Sequence, residues 1–262
     1  MGNIKIKNLQ FSYDDTEVFH DVNFTLRKDK TLSIIGTAGS GKTTLLKILN
    51  SELDYTGEVV VNGINVGKDN NTSLKTNIAC VFKDSPFINE LVINELRYSL
   101  ENMNISPNEI KNKIEELNVY FNINKILHKK IKDLSTNDMY LVKILSYAIF
   151  DPLYIAIDDL LVYLDNRTKI LLLNYLNSKN ITLINVTTNM EDVLYTDYVL
   201  CLYDGINAID GKTLDVLSNE KVLKRLGFEL PFYYDLSIQL ELYGLIRKIH
   251  LNKEAMVSNI WK

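Results

Sequence analysis

The sequence predicts an α/β domain with a central parallel sheet, and three observations carry that prediction. Residues Gly36-Thr37-Ala38-Gly39-Ser40-Gly41-Lys42-Thr43 follow the pattern GxxxxGK[ST]. The pattern lies between a short apolar run, Thr31-Leu32-Ser33-Ile34-Ile35, and a segment, Thr44-Leu45-Leu46-Lys47-Ile48-Leu49, that reads as the start of an amphipathic helix. Farther on, short apolar runs alternate with helical patterning, as parallel strands joined by helices require.

The elements follow in order. Alternating polar and apolar residues at Ile4–Lys7 and Val18–Leu26 read as strands. So does Gly57–Val61, which ends in an Asn62-Gly63 turn. A strand at Ile78–Phe82 leads into a polar stretch holding Pro86. From about residue 90 to 150 apolar residues recur every three or four positions, the mark of helices. Leu153–Ile157 is a buried-strand run, followed by a helix at about 167–178 and strands at Ile181–Val186 and Tyr198–Tyr203. The segment from about 218 is again helical, broken at Gly227 and Pro231. This gives one domain over 1–217, with a helical part at about 85–150, and a helical extension over 218–262.

A chain of 262 residues with 46% hydrophobic and 24% charged residues can bury a sizeable core. No apolar run approaches the length needed to cross a bilayer. The formal charge of −4 argues against a nucleic-acid partner, which selects for a basic face. Cys80 and Cys201 sit in strand-like runs and read as buried thiols, not as a disulfide or metal pair.

The glycine-rich loop carries the chemistry. Gly36, Gly39 and Gly41 let the backbone curl without Cβ clashes, so that N–H groups of Thr37, Ala38 and Ser40 point at a polyphosphate. The helix behind adds its positive N-terminal end. Lys42 is placed to reach the β- and γ-phosphates, and the Thr43 hydroxyl to hold Mg²⁺, with Thr44 beside it. Asp158 ends the Leu153–Ile157 strand, where a carboxylate completes the Mg²⁺ shell; the alternative is a strand-end aspartate capping a turn. Tyr13 lies upstream at a distance suited to stacking on adenine, or is one of the chain's 15 tyrosines with a packing role.

On these residues the chain resembles an ATP-binding-cassette (ABC) ATPase over essentially its whole length. Gly36–Thr44 resembles the Walker A segment and Leu153–Asp159 the Walker B segment. Leu134-Ser135-Thr136-Asn137-Asp138 stands where the LSGGQ signature is usual, Leu164-Asp165 resembles the D-loop, and Thr187-Thr188-Asn189-Met190 takes the place of the switch "TH-D" segment. The resemblance implies a P-loop NTPase fold with a RecA-like core, an antiparallel β subdomain and a helical subdomain. The tail, Leu226-Gly227-Phe228-Glu229-Leu230-Pro231-Phe232 with Leu236, Leu240 and Tyr243-Gly244, is similar to that of energy-coupling factor (ECF) and cobalt importer ATPases.

Four segments depart from that pattern. Asp159 follows Walker B where a water-polarising glutamate is usual, and one methylene less withdraws the carboxylate by about 1.5 Å. Thr188 replaces the switch histidine, and the only histidines are His20, His128 and His250. Lys83 stands at the Q-loop glutamine, while the only glutamines are Gln10 and Gln239. Thr136 and Asn137 replace the signature glycines, and no glycine occurs between Gly67 and Gly205. Ser135 keeps its place at the helix start.

The resemblance implies an ATP-binding subunit of an importer for a vitamin or metal ion, peripheral to the cell membrane on its cytoplasmic side. Its implied partners are a second, sequence-distinct ABC ATPase, a transmembrane coupling subunit and a substrate-binding membrane subunit; its ligands are ATP and Mg²⁺. ATP would lie between one subunit's loop, with Lys83 near the γ-phosphate, and the other's Ser135. Asp159, Lys42 and Thr188 are the expected catalytic groups, with slow hydrolysis by this chain alone. Glu90 and Glu95 are the acids expected to receive basic residues of the membrane subunit. A non-hydrolysing, nucleotide-dependent structural partner and the ATPase of another ABC system remain alternatives.

Overall fold

A computed structural model describes residues 3–67, 74, 76–251 and 256–258. The first two strands, β1 (Asn3–Tyr13) and β2 (Thr16–Arg27), form a long hairpin. β3 (Leu32–Gly36) feeds the glycine-rich loop and helix α1 (Lys42–Leu49). β4 (Thr56–Val61), β5 (Ile64–Asn65) and β6 (Ile78–Val81) follow. Then come three helices, α2 (Val92–Asn102), α3 (Pro107–Phe121) and α4 (Thr136–Ala148). β7 (Tyr154–Asp158), α5 (Asn166–Ser178), β8 (Thr182–Val186), α6 (Met190–Val193), β9 (Tyr198–Tyr203) and β10 (Ile206–Lys212) complete the alternation. The tail holds α7 (Thr213–Leu217), α8 (Glu220–Arg225) and α9 (Phe232–Leu242).

All the strands join one sheet in the order β5-β4-β1-β2-β10-β9-β3-β8-β7-β6. β9, β3, β8, β7 and β6 run parallel, and β3, β7 and β8 are buried at every position, as strands covered on both faces must be. β1 is antiparallel to both β2 and β4. This is the α/β architecture expected, with an antiparallel part and a helical part beside the parallel core.

β10 was not foreseen. It pairs antiparallel with β9 and meets β2 at a single register pair, Ile206 with Asp21, so it joins the antiparallel and parallel halves. Its alternation is blurred because most of its residues are only half-buried or exposed.

Side chains sort by strand face. Ile34, Ile184 and Leu200 pack with Leu45 and Leu46 of α1 on one side. Leu183, Ile155 and Ile157 pack with α2–α5 on the other, and Ile35, Val199 and Cys201 meet the tail. Leu223, Phe228 and Tyr234 belong to that third cluster, so the stretch beyond 217 is packed directly on β3 and β9. Gly227 sits at φ +85°, which ends α8 and turns the chain, and Pro231 precedes α9. Both cysteines are free and buried.

Candidate phosphate-binding site

The loop 36–43 crosses the carboxyl end of β3, where a parallel sheet leaves its crevice. Gly39 and Gly41 adopt φ +81° and +91°. Gly41 is further constrained by packing: a Cβ there would lie 2.6 Å from Phe19 Cε1 and 2.9 Å from Val18 Cγ1. A Cβ on Gly36 would lie 2.7 Å from the Leu202 carbonyl oxygen. The neighbours of the loop therefore require bare backbone at both ends, while Thr37, Ala38 and Gly39 at its crest are open to solvent.

Lys42 folds back over the loop. Its Nζ donates to the Gly36 and Thr37 carbonyls at 2.7 and 2.9 Å. Burial lowers its pKa from the usual lysine range, and the charges of Asp159 and Asp158 oppose the shift. Thr43 and Asp158 are brought together across the sheet: the Thr43 hydroxyl donates to Asp158 Oδ2 at 2.9 Å. Burial raises the Asp158 pKa, and that hydrogen bond pulls against it. Thr44 is buried in the first turn of α1.

Asp159 sits in the left-handed region at φ +55°, held by its N–H donating to the Val186 carbonyl at 2.9 Å. Its Oδ1 is buried without a hydrogen-bond partner, and so is the Ser40 hydroxyl. Buried polar atoms are seldom left alone, and here an acceptor and a hydroxyl stand bare around a cradle of glycines. With the Thr43–Asp158 pair, they fit a magnesium–triphosphate: hard oxygen donors for the cation, N–H groups and Lys42 for the anion.

Lys83 is the second cation. Its ammonium lies 5.0 Å from the centre of the Tyr163 ring, and Tyr163 stacks on Tyr140 of α4 with centroids 4.3 Å apart. A hydrogen bond with Tyr163 and the nearby Asp159 raise the Lys83 pKa. Lys143 of α4, only 6% exposed, was missed in the sequence. It donates to the Lys83 and Ser85 carbonyls at 2.7 and 2.6 Å, tying the loop after β6 to α4.

Tyr13, Thr188 and Ser135 complete the set of candidates. Tyr13 is exposed near the end of the β1–β2 hairpin, its ring edge-on to Phe11 at 4.7 Å; the same hairpin sends Val18 and Phe19 against Gly41. Thr188 is exposed just beyond β8. Ser135 caps α4, accepting from the Asp138 N–H at 3.1 Å, and both of its hydrogen bonds stay within its own helix. Glu95 corrects an expectation. It is 8% exposed, and its Oε2 accepts from the backbone N–H groups of Ile88 and Asn89 at 3.1 and 2.8 Å, so it shapes the 88–89 turn from inside. Glu90 is exposed and paired with Lys130 at 2.9 Å.

Comparison with known proteins agrees with this geometry. The family model described as "ABC transporter" matches residues 19–161. The energy-coupling factor transporter ATP-binding protein EcfA of Malacoplasma penetrans (strain HF-2) is 30% identical over 98% of this chain and 93% of its own length. A protein named energy-coupling factor transporter ATP-binding protein EcfA1 of Mycoplasmopsis synoviae (strain 53) is 30% identical over 89% of this chain and 92% of its own. The solved structure of cbiO1 from Clostridium perfringens, described as part of the ABC transporter complex cbiONQ, superposes with a TM-score of 0.75 at 21% identity, covering 91% of this chain and 98% of that one. With its phosphate loop and both strand-end aspartates inside the matched stretch, this chain belongs to the ABC transporter family.

Proposed function

We propose that the chain is the ATP-binding subunit of an energy-coupling-factor importer for a vitamin or metal ion, stationed at the cytoplasmic face of the cell membrane. It binds MgATP at an interface with a second ATP-binding subunit, and binding and loss of ATP close and open that pair. The relatives' names and the family match support the class. The observation that carries the chemistry is the contrast within the site: the phosphate cradle is complete, while Asp159 and Thr188 stand where longer or more basic groups are usual.

In this reading, the loop N–H groups and Lys42 grip the β- and γ-phosphates, and Lys42 exchanges its two carbonyl acceptors for phosphate oxygens. Thr43 and Asp158 would hold a Mg²⁺, and that ion would neutralise phosphate charge. The bare Asp159 Oδ1 accepts a proton from the attacking water, at reduced efficiency because its reach is shorter. Thr188 donates its hydroxyl, and Lys83 adds a positive charge that Tyr163 steadies. Tyr13 covers the base. Ser135 faces the partner's nucleotide. The stretch beyond 217, with helices at Glu220–Arg225 and Phe232–Leu242 among its described residues, acts as an extension of the ATP-binding domain.

The test is single-turnover ATP hydrolysis by the isolated chain and by the mixed dimer. Slow turnover alone and tight MgATP binding are expected, with binding lost in Lys42→Ala. Fast turnover by the isolated chain, abolished by Lys42→Ala, overturns the slow-hydrolysis reading. Capture of the tagged chain followed by mass spectrometry should recover a second ATP-binding subunit and small membrane proteins.

A further inference from the structure

Asn137 is the second residue of α4, at a place where the signature resemblance expects glycine. Glycine would offer only backbone there; asparagine adds an acceptor and two donors. Both ends are occupied within the chain. Oδ1 accepts from the Asp165 N–H at 2.9 Å, and Nδ2 donates to the Thr168 hydroxyl at 3.3 Å. Asp165 in turn caps α5, accepting from the Thr168 N–H at 2.7 Å.

The next residue carries the connection inward. Lys169 Nζ donates to Asp192 Oδ1 at 2.6 Å, the two side chains being 7% and 0% exposed. Asn189 Nδ2 donates to the other Asp192 oxygen at 3.3 Å, and the Asn189 N–H donates to the Thr187 hydroxyl at 2.9 Å. The Thr187 N–H donates to the Ile34 carbonyl at 3.0 Å, in the strand that feeds the phosphate loop. Hydrogen bonds and the first turn of α5 thus connect residue 137, the 165–169 turn and the 187–192 segment that brackets Thr188. A buried charge pair has few other arrangements open to it, because separating it strands both ions away from water.

We propose that Asn137 and the Lys169–Asp192 pair are positioning residues that hold the D-loop residue Asp165 and the Thr188 segment as one unit. The altered signature is then an internal strut, its carboxamide oxygen and one of its two N–H donors committed to its own chain. The relay depends on these hydrogen bonds and not on the transport reading, and it is tested without nucleotide.

Amide hydrogen exchange on the full chain decides it, with wild type, Asn137→Gly, Asn137→Asp and the double variant Lys169→Met/Asp192→Leu. Asn137→Gly is expected to speed exchange at Asp165 and Thr168 about tenfold, and to speed it at Asn189 and Asp192 about threefold or more. Asn137→Asp keeps the acceptor oxygen and should return Asp165 to near the wild-type rate. The double variant, which leaves no unpaired charge, should speed exchange at 165–169 as well as 189–192. Changes confined to the substituted segment, or an Asp165 amide as fast in Asn137→Asp as in Asn137→Gly, overturn the relay. Should the double variant not fold, the two Asn137 variants still decide, since residue 137 lies in a partly exposed first turn.

Discussion

Gly41→Ala separates the demand for a bare loop from a general taste for glycine. The position has φ +91°, where an L-residue costs roughly 1–2 kcal/mol. Its new methyl would also lie 2.6–2.7 Å from ring atoms of Phe19, which is wholly buried. Forcing a methyl into a packed contact adds roughly 1–3 kcal/mol. The sum is a loss of about 2–5 kcal/mol. Gly39→Ala is the matched control: φ is +81°, and nothing lies within 4 Å of the added Cβ, so only the backbone cost of about 1–2 kcal/mol remains. Urea denaturation reads both values. Isothermal titration with MgATP reads the accompanying loss of affinity, expected to exceed tenfold for Gly41→Ala, the equivalent of about 1.4 kcal/mol. Equal destabilisation of the two variants, or unchanged MgATP affinity in Gly41→Ala, would refute the argument that the hairpin shapes the cradle.

Three further outcomes are expected. Asp159→Glu should raise single-turnover hydrolysis by about tenfold or more, with a small loss of stability because φ +55° suits aspartate better than glutamate; stopped-time product assays and thermal melts check both. Lys143→Met keeps the stem but removes two charge-assisted bonds to the Lys83 and Ser85 carbonyls, so chemical denaturation should show a loss of about 2–4 kcal/mol. Asp165 has a pKa lowered by the hydrogen bond from the Thr168 backbone, so its stabilisation is present above the unfolded carboxylate range and is lost as pH falls through the lowered folded value. Urea midpoints across the acid range should therefore fall less steeply in Asp165→Asn, which keeps the cap without the titration.

What was legible in the sequence is what local chemistry dictates. The phosphate loop announces itself because two glycines, a lysine and a threonine must stand at fixed offsets in a strand–turn–helix. β7 and β8 read plainly because strands buried on both faces are continuously apolar. β10 did not, because Ile206-Asn207-Ala208-Ile209-Asp210-Gly211-Lys212 mixes exposures and draws its pairing from β9 after a tight turn at Asp204-Gly205. Lys143 and the Lys169–Asp192 pair gave no signal in the sequence, and Asn137 only that of a missing glycine, since their partners lie 60, 23 and 28 residues away. Glu95 was misread although its partners are near in the chain: a carboxylate in a helix start looks like a surface acid until the N–H groups of Ile88 and Asn89 are folded onto it.

The seam at β10 has a mechanical consequence. β10 is joined to the hairpin carrying Tyr13 by one register pair, by the His20 N–H donating to the Gly205 carbonyl at 2.9 Å, and by the Asn23 N–H donating to Asn207 at 3.3 Å, beside the packing of Phe24 and Leu26 on Ile34 and Leu200. The phosphate loop, by contrast, is anchored in strands buried on both sides. The residue proposed to cover the base and the loop proposed to hold the phosphates are thus mounted on different halves of the sheet. If Tyr13 covers the base as proposed, loosening the joint at 205–207 should weaken discrimination between purine and pyrimidine nucleotides first, and should reach the triphosphate only through Val18 and Phe19, which the same hairpin sets against Gly41.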